Sequence, residues 1–538
     1  MTDSPETIVR YYHHRTKHRL DGYARGPETL DWDDQPDPFR RYCGTHRVML
    51  PLVAADLPVP FSRLTAPEPL PAHPVSLTSV AMLLEMSLAL SAWKQYGTAR
   101  WSLRVNPSSG NLHPTEAFVV VLGVPDLRDG LYHYAPEQHQ LELRCAFPTA
   151  TVRGPSLSVG FSSVHWREAW KYGERAFRYC QHDVGHAAAA LSYAAATLGW
   201  RLQPQYQLGS RALGQLLGLD READYVGAEG EHPDLLLTIR VGEDTATPAL
   251  SALLDLAARG QWQGRANVLD PKHLYAWPII DEVAAACARS DRATAAVSPP
   301  TPWHRPLQPL VTGCKDSAPA LFRRRRSAQA FDSSAVMSQT DFQRCLDQLF
   351  PRPLPPWDTQ PWPPRVHLAL FIHRVEGLPP GLYALPRSES GLQTMQRQMR
   401  AEFHWRKMNA EADALPLYQL LPARAQRTAA KLSCLQAIAG DSCFSLAMLA
   451  EFDDTLSDHP WRYPELFWEA GAIGQVLYLE AEAAGLRGTG IGCYFDDAVH
   501  DLLGLQNSVL QSIYHFTLGV PLVDHRITTL PAYSTRRA

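Results

Sequence analysis

The feature that most constrains the fold of this chain is an internal repeat. Glycines and leucines recur at a constant offset of 286 residues. The pairs are Gly185 with Gly471, Leu191 with Leu477, Gly199 with Gly485, and Leu216-Leu217-Gly218-Leu219 with Leu502-Leu503-Gly504-Leu505. A shorter element, Gly130-Leu131-Tyr132, recurs as Gly381-Leu382-Tyr383 at an offset of 251. A spacing held across several landmarks predicts two diverged copies of one domain, and such copies commonly pack as a pseudo-symmetric dimer.

The residue pattern of each copy predicts an α+β domain. Apolar positions after Ser76 follow the period of an amphipathic helix, and a long Ala-rich helix is expected from Ala176 to Gly199. The continuous apolar run Ala117 to Leu122 predicts a buried strand. The last strand of each copy is expected at Leu235 to Val241 and at Ile513 to Gly519. The order of elements is therefore the same in both copies.

The chain is too long, at 538 residues, to bury its apolar side chains in one core. Residues 1–60 are rich in His, Arg, Asp and Tyr, as expected for an N-terminal arm that wraps a surface. We expect the first domain at 61–257 and the second at 316–538. Between them, 258–315 contains Ser298-Pro299-Pro300-Thr301-Pro302, which is typical of a stiff linker.

Composition excludes several classes of function. A net charge of -4 argues against a nucleic-acid partner. No apolar run approaches the roughly 18 residues that a membrane span requires. The nine cysteines show no paired spacing, so they are expected to be reduced and mostly structural, with no metal site. We therefore expect a cytoplasmic protein.

The two copies differ in a complementary way. The second copy opens with Arg325 to Phe331, where an Arg-x-Ser cluster can hold a phosphate, whereas the first copy offers only Arg63 to Pro67. Conversely, Pro107 to Pro114 of the first copy carries hydroxyls, an amide and a glycine suited to a flat polar heterocycle. Its counterpart, Asp358 to Arg365, has lost them. One complete site and one degenerate site per chain are predicted.

Two further features point to the same site. Glycines in Gly490-Ile491-Gly492 allow backbone to approach the edge of a flat ligand, although glycines after a helix are also common as caps and turns. Arg526 near the C-terminus is placed to reach a phosphate, and a solvated tail arginine is an equal alternative.

These motifs together resemble the nitroreductase-type flavin superfamily, and within it the SagB/ThcOx-type dehydrogenases, some of which oxidise azoline rings in ribosomally made peptides. The resemblance is carried by five motifs along the chain. They are Tyr12 to His18, Asn106 to Gly110, Lys171 to Tyr179, Arg325-x-Ser327, and Gly490-Ile491-Gly492. It implies two tandem nitroreductase-like domains, each with a central, mostly antiparallel sheet flanked by helices, packed as an intramolecular pseudo-dimer.

The resemblance also implies about one FMN per chain. The cofactor-binding residues would be Arg325, Ser327 and Gln329 from the second copy, Pro107, Ser108, Ser109, Gly110 and Asn111 from the first, and Gly490, Ile491, Gly492 and Arg526. Gln329 replaces a basic residue of the family pattern, which removes one charge from the phosphate end. Lys171 and Tyr172 match the family's catalytic Lys-Tyr pair. In the second copy, Arg462-Tyr463 is expected at the corresponding place, where an arginine cannot act as a base.

The activity implied is a dehydrogenation in which FMN accepts a hydride and Lys171 or Tyr172 removes the accompanying proton. The pKa of Lys171 would have to fall, through burial or through the positive charge of Arg175. Alternatives are an NAD(P)H-dependent reductase of nitro compounds or quinones, and a peptide-binding scaffold with a vestigial flavin site.

Expected partners are a small-molecule or peptide substrate, with a modified precursor peptide and its cyclodehydratase as candidates, and neither nucleic acid nor a membrane. The chain would be a monomer with an internal pseudo-dimer, or a homodimer. Oxygen is the expected electron acceptor for a dehydrogenase of this kind, with a nicotinamide as the alternative.

Overall fold

A computed structural model describes residues 3–66, 68, 70–149, 154–242, 248–290, 303, 314–409, 415–457 and 459–534. The helices are α1 Pro5–Arg15, α2 Leu77–Ser87, α3 His165–Tyr172, α4 Ala176–Thr197, α5 Ser210–Leu217, α6 Leu250–Arg259, α7 Pro278–Ala286, α8 Ala318–Arg324, α9 Gln339–Asp347, α10 Glu389–Gln398, α11 Gln426–Leu432, α12 Ala437–Asp441, α13 Phe452–Leu456, α14 Tyr463–Ala483 and α15 Asp496–Leu503. The strands are β1 Tyr42–Cys43, β2 Arg47–Met49, β3 Leu90–Tyr96, β4 Ala99–Arg104, β5 Thr115–Leu122, β6 Gly130–Ala135, β7 Gln140–Ala146, β8 Ser156–Ser163, β9 Arg201–Pro204, β10 His232–Arg240, β11 Gln261–Trp262, β12 Arg265–Ala266, β13 Val366–Ile372, β14 Gly381–Leu385, β15 Arg406–Lys407, β16 Tyr418–Pro422, β17 Phe444–Glu451, β18 Arg487–Ile491, β19 Leu510–Gly519 and β20 Thr528–Leu530.

Two large sheets share one strand order. The first runs β11-β7-β6-β5-β8-β10-β9, with β2 added beside β7, and the second runs β15-β16-β14-β13-β17-β19-β18. Every pairing in both sheets is antiparallel. The predicted α+β fold with tandem copies is therefore confirmed. No helix among the described residues is both long enough and apolar enough to cross a membrane.

The two copies meet along their long helices, α4 and α14. Gly185 and Gly471 lie where these helices cross. A Cβ on Gly185 would overlap the carbonyl oxygen of Trp468, and a Cβ on Gly471 would overlap that of His182. The repeated glycines thus permit the close approach of the two copies, and the register of 286 residues is that of the helix pair.

One sequence correspondence is wrong. Tyr463 begins α14, and its ring lies parallel to that of Phe177, with the centroids 6.3 Å apart. At the offset of 286, Tyr463 is therefore the counterpart of Phe177 and not of Tyr172. Helix α3, which carries Lys171 and Tyr172, ends before α4, and it is α4 that corresponds to α14 at the offset of 286 residues.

The N-terminal arm packs against both copies. In α1, the Tyr12 hydroxyl donates to the carbonyl oxygen of Glu174 at 2.7 Å, and the His13 Nδ1 lies 3.0 Å from the hydroxyl of Tyr463. Arg10 forms an ion pair with Asp453 of the second copy. The arm is thus held by polar contacts and by the burial of Val9 and Tyr12.

The expected linker is folded in its first part. Between 258 and 290, β11 joins the first sheet and α7 packs against α1, because Ile280 and Val283 bury their side chains in the core. The expected end of the first domain at 257 therefore lies within a folded segment. The proline-rich stretch 298–309 lies outside the described residues, apart from Trp303.

Candidate functional site

A cavity of about 420 Å³ lies between the two copies and is lined by both of them. The first copy contributes the loop 106–113, and the second contributes 325–329 and the glycine-rich strand β18 with the residues that follow it. The sequence-predicted residues that line it are Pro107, Ser108, Ser109, Gly110, Asn111, Tyr172, Arg325, Ser327, Gln329, Gly490, Ile491 and Gly492. Segments that are distant in sequence are thus brought together around one space.

The loop of the first copy has an unusual backbone. Gly110, Asn111 and His113 all have positive φ, at 58°, 61° and 56°. Left-handed conformations of non-glycine residues are costly and cluster at ligand sites. The loop is held in place by Asp183 of α4, whose carboxylate accepts hydrogen bonds from the backbone N–H of Ser109 at 3.0 Å and from its hydroxyl at 2.9 Å.

The cavity wall carries a buried acceptor without a partner. Asn106 is only 3% exposed, and its Oδ1 accepts no hydrogen bond from any described residue. Buried polar atoms are almost always paired, so an orphan acceptor in a cavity indicates a polar ligand. A flavin ring, which carries one N–H donor on its pyrimidine edge, fits this requirement.

Glycines bring aromatic side chains and backbone close to the same space. A Cβ on Gly110 would collide with the hydroxyl of Tyr172, and a Cβ on Gly492 would collide with the ring of Tyr179. A Cβ on Gly490 would overlap the hydroxyl of Tyr514. Any larger residue at these positions would displace an aromatic side chain that borders the cavity.

Arg325 joins the two copies at one end of the cavity. It is 4% exposed, and its Nε and Nη2 donate to the carbonyl oxygens of Val105 and Arg104 at 3.0 and 3.2 Å. Beside it, the hydroxyls of Ser327 and Tyr478 are 2.8 Å apart. The Arg-x-Ser segment of the second copy is thus anchored to the strand that leads into the loop of the first.

This end of the cavity is strongly positive. Lys94, Arg326 and Arg487 line it with Arg325, and none of the four forms an ion pair with a described residue. Burial and the neighbouring Arg325 lower the pKa of Arg326 to about 10. Burial, Arg326 and Arg487 likewise lower the pKa of Lys94. Cations that repel one another in a half-enclosed space would be stabilised by a phosphate.

Arg526 does not take the predicted position. Its side chain is 73% exposed and pairs with Asp524 at 2.7 Å, while its neighbours Asp524 and Ile527 line the cavity. Sequence reasoning missed Lys94 and Arg487, which supply the charge instead. Arg487 lies 286 residues after Arg201, so the internal repeat could have pointed to it. Lys94 had no such signal, because its place beside the cavity depends on the pairing of β3 with the C-terminal strand β20.

Of the predicted catalytic pair, Tyr172 lines the cavity and Lys171 does not. The Lys171 Nζ lies 5.1 Å from the ring centre of Trp32 and 5.2 Å from that of Tyr172. Burial lowers the pKa of Lys171, and Glu168 opposes this effect. The expected contribution of Arg175 is wrong, because Arg175 points to Asp496, 3.1 Å away across the copy interface.

Two buried acids near the pair were also missed from sequence. Burial raises the pKa of Asp183 to about 7, against the hydrogen bonds from Ser108 and Ser109. Glu168, one turn before Lys171 in α3, is 0% exposed, and neither carboxylate oxygen has a partner among the described residues. Burial, aided by Asp183, raises the pKa of Glu168 well above its usual range.

A smaller cavity, of about 80 Å³, combines the corresponding parts of the opposite copies, Arg63 to Ala66 and Pro353 to Asp358. Asp358 accepts hydrogen bonds there from the Ser192 hydroxyl and the Leu202 N–H. At the register position of Gly492 stands Tyr206, whose ring packs 5.0 Å from that of Trp362. The first copy thus has a large aromatic side chain at the position where the second copy has Gly492.

Parts of this chain are similar in sequence to known proteins. Residues 322–520 match the model of the nitroreductase family. The trifolitoxin-processing protein TfxB of Rhizobium leguminosarum bv. trifolii is 29% identical over 169 residues, which cover 28% of this chain and 45% of TfxB. A candidate nitroreductase of Methanocaldococcus jannaschii is 28% identical over 174 residues, or 30% of this chain and 82% of that protein.

A solved structure shares the tandem fold. The crystal structure of a candidate nitroreductase from Anabaena variabilis aligns with a TM-score of 0.61 at 20% identity, covering 96% of this chain and 99% of that one. The arrangement of both copies is therefore found in another protein. By contrast, the chain spans less than half the length of TfxB.

Proposed function

We propose that this chain is an FMN-dependent dehydrogenase acting on a peptide or heterocyclic substrate of the azoline type. The match of residues 322–520 to the nitroreductase family model supports the proposal. The observation that carries the proposal is the composite cavity. It has a group of cations at one end, a strained polar loop along its wall, and the hydroxyl of Tyr172 beside that loop at Gly110.

The residues present fit FMN. Lys94, Arg325 and Arg487 would hold the phosphate with Ser327, and Asn106 and the loop 107–111 would contact the isoalloxazine ring. When bound, FMN supplies the acceptor for a hydride from carbon. We expect about one FMN per chain, because the smaller cavity has only about 80 Å³ and is lined by two arginines, Arg63 and Arg201, where the larger cavity has the group of four cations at one end.

Tyr172 is the side chain placed to accept the proton that leaves the substrate together with the hydride. Burial and the neighbouring Glu168 raise the pKa of Tyr172 well above 10, so it remains a neutral phenol that both accepts and donates a hydrogen bond. In the proposal, Tyr172 gives its phenolic proton to Lys171, whose Nζ lies over the Tyr172 ring, as the Tyr172 oxygen accepts the proton from the substrate. This requires a neutral Lys171 amine, which the lowering of its pKa by burial favours. Lys171 in this proposal acts through Tyr172, since its own side chain does not line the cavity.

A peptide substrate is supported by the entrance of the cavity. Leu522 and Val523, which line it, are 56% and 58% exposed, and Leu435 beside it is 70% exposed. Exposed apolar side chains around a polar cavity suit a substrate with apolar flanking residues. The likeness to TfxB, named as a trifolitoxin-processing protein, supports a precursor peptide as substrate. A cyclodehydratase partner is part of the same proposal.

The test is an anaerobic half-reaction with the FMN-loaded full-length protein. A synthetic peptide that contains a thiazoline should bleach the flavin absorbance and lose two hydrogen atoms by mass spectrometry, and oxygen should restore the colour. Bleaching by NADPH but not by the peptide would overturn the proposal in favour of a reductase. A protein that takes up no FMN would leave the scaffold alternative.

A further inference from the structure

Two thiols meet at the wall of the same cavity, and the proposed dehydrogenation uses neither. Cys493, which follows β18, lines the cavity, and its thiol interacts with that of Cys434. The two segments are fastened together by the N–H of Phe495, which donates to the carbonyl oxygen of Leu432 at 2.8 Å. Gln436 also donates to the carbonyl oxygen of Cys493 at 3.2 Å. Both cysteines are half-buried and free.

The N-terminal arm contributes a third group, His18, whose ring interacts with the Cys493 thiol. The Nδ1 of His18 lies 2.9 Å from the backbone nitrogen of Ala24. A backbone N–H can only donate, so this Nδ1 is the unprotonated nitrogen, and the proton of the neutral ring is on Nε2. The Nε2–H is therefore the donor that faces the Cys493 sulfur.

The charges around the pair favour a thiolate at Cys493. The Cys434 thiol and the His18 ring both donate to its sulfur, and together with Arg175 they hold the pKa of Cys493 well below its usual range. The same contact raises the pKa of Cys434. Asp496 and the hydroxyls of Tyr23, Tyr172 and Tyr179 also face the pair, and Asp496 is already paired with Arg175 and Arg178.

The backbone at Cys434 has a strained, left-handed conformation. Cys434 and Leu435 follow one another with φ of 51° and 62°, a conformation that two successive non-glycine residues rarely adopt. Such strain persists where the surroundings enforce it, and it is common at functional sites. The strained residues lie between Leu432 and Gln436, the two residues that bond to the Cys493 segment.

We propose that Cys493 and Cys434 form a redox-active dithiol in the cavity wall, in which Cys493 attacks small organic disulfides and Cys434 resolves the product. The Cys493 thiolate attacks one sulfur of the disulfide, forming a mixed disulfide and releasing one thiolate. The Cys434 thiol then loses its proton and attacks the Cys493 sulfur, releasing the second thiolate. The dithiol is oxidised by two electrons to the Cys434–Cys493 disulfide, and the substrate disulfide is reduced to two thiols.

The test uses the aromatic disulfide DTNB with the reduced full-length protein at pH 6, where an ordinary thiol with a pKa of about 8.5 is only about 0.3% ionised. The wild type should show a fast phase that releases about two thionitrobenzoates per chain and leaves no label on the protein. Cys434→Ser should release about one and retain the label. Cys493→Ser should lose the fast phase, because it removes the attacking thiolate and burial still raises the pKa of Cys434.

Controls separate the pair from other cysteines and from misfolding. The exposed Cys43 is replaced by Ser in every variant, and circular dichroism confirms that each variant is folded. His18→Ala, which leaves both thiols in place, should slow the fast phase about tenfold or more as the thiolate loses a donor. A fast phase that survives in Cys493→Ser, or a wild type that releases one equivalent and keeps the label, would overturn the proposal. Neither result depends on flavin or on the dehydrogenase activity.

Discussion

Replacement of Arg325 by methionine tests whether the two copies share one phosphate site. The guanidinium of Arg325 belongs to the second copy, and its acceptors, the carbonyl oxygens of Arg104 and Val105, belong to the first. Methionine keeps most of the aliphatic length and removes the charge. The repeat supplies a matched control, because Arg63 lines the smaller cavity with the counterparts of the opposite copies.

The expected magnitude follows from the contacts of the guanidinium. A hydrogen bond between a charged donor and an anion contributes about 1.5–3 kcal/mol, which corresponds to FMN binding that is about 10- to 150-fold weaker in Arg325→Met. Riboflavin, which has no phosphate, should lose less affinity than FMN does. Arg325→Lys should fall between, since it keeps the charge but not the planar fork. Arg63→Met should leave FMN affinity within about twofold.

Flavin-fluorescence quenching during titration of the apoprotein measures these affinities directly. Equal weakening of FMN and riboflavin in Arg325→Met would show that the residue acts only through the loop and not through the phosphate. Equal effects of Arg325→Met and Arg63→Met would refute the assignment of one complete and one degenerate site.

Three further predictions concern the proton, the interface and pH. Tyr172→Phe should lower turnover about 10²- to 10⁴-fold while FMN affinity stays unchanged, as stopped-flow measurement of flavin reduction would show; an unaltered rate would exclude the hydroxyl from the chemistry. Gly185→Ala should destabilise the fold by about 1–3 kcal/mol in urea titrations, because its methyl group meets the backbone of Trp468. Gly214→Ala, a helix-interior control whose Cβ would find its nearest neighbour at 3.7 Å, should be neutral or stabilising by up to about 1 kcal/mol. Burial raises the pKa of Asp183 to about 7, so the folded state holds a proton that the unfolded state releases above about pH 4. This group therefore makes stability fall as the pH rises towards 7, and Asp183→Asn should flatten that fall in thermal melts at pH 5 and pH 8; an identical slope in the variant would contradict the assignment.

Much of the fold was predictable because the repeat leaves a regular trace in the sequence. Ser76 begins α2 with a capping box, and α4 begins at Ala176 as expected. The helix register of 286 residues survives because Gly185 and Gly471 touch each other's helices, where no side chain is tolerated. The error at Tyr463 arose where no such constraint acts, at the segment that precedes the helix.

The candidate site was predictable where local chemistry is distinctive and not where tertiary contacts decide. The loop 107–111 and Arg325 carry hydroxyls, an amide and a charge in a short stretch, and all of them line the cavity. Lys94 reaches the cavity from a surface hairpin, and Glu168 lies inside an amphipathic helix, so neither stands out in one sequence. Arg526 was misplaced because its side chain pairs with Asp524, two residues earlier in the same turn, and lies over the ring of Tyr96.

The ratio of FMN to protein chain is the most direct test of the central claim. Full-length protein is saturated with FMN and freed of excess, the flavin is released by acid, and both components are quantified. A composite site built from Ser108 and Asn111 of one copy and Arg325 of the other predicts about one FMN per chain. A ratio of two would contradict the account, because it would require the smaller cavity at Arg63 and Asp358 to hold a second flavin.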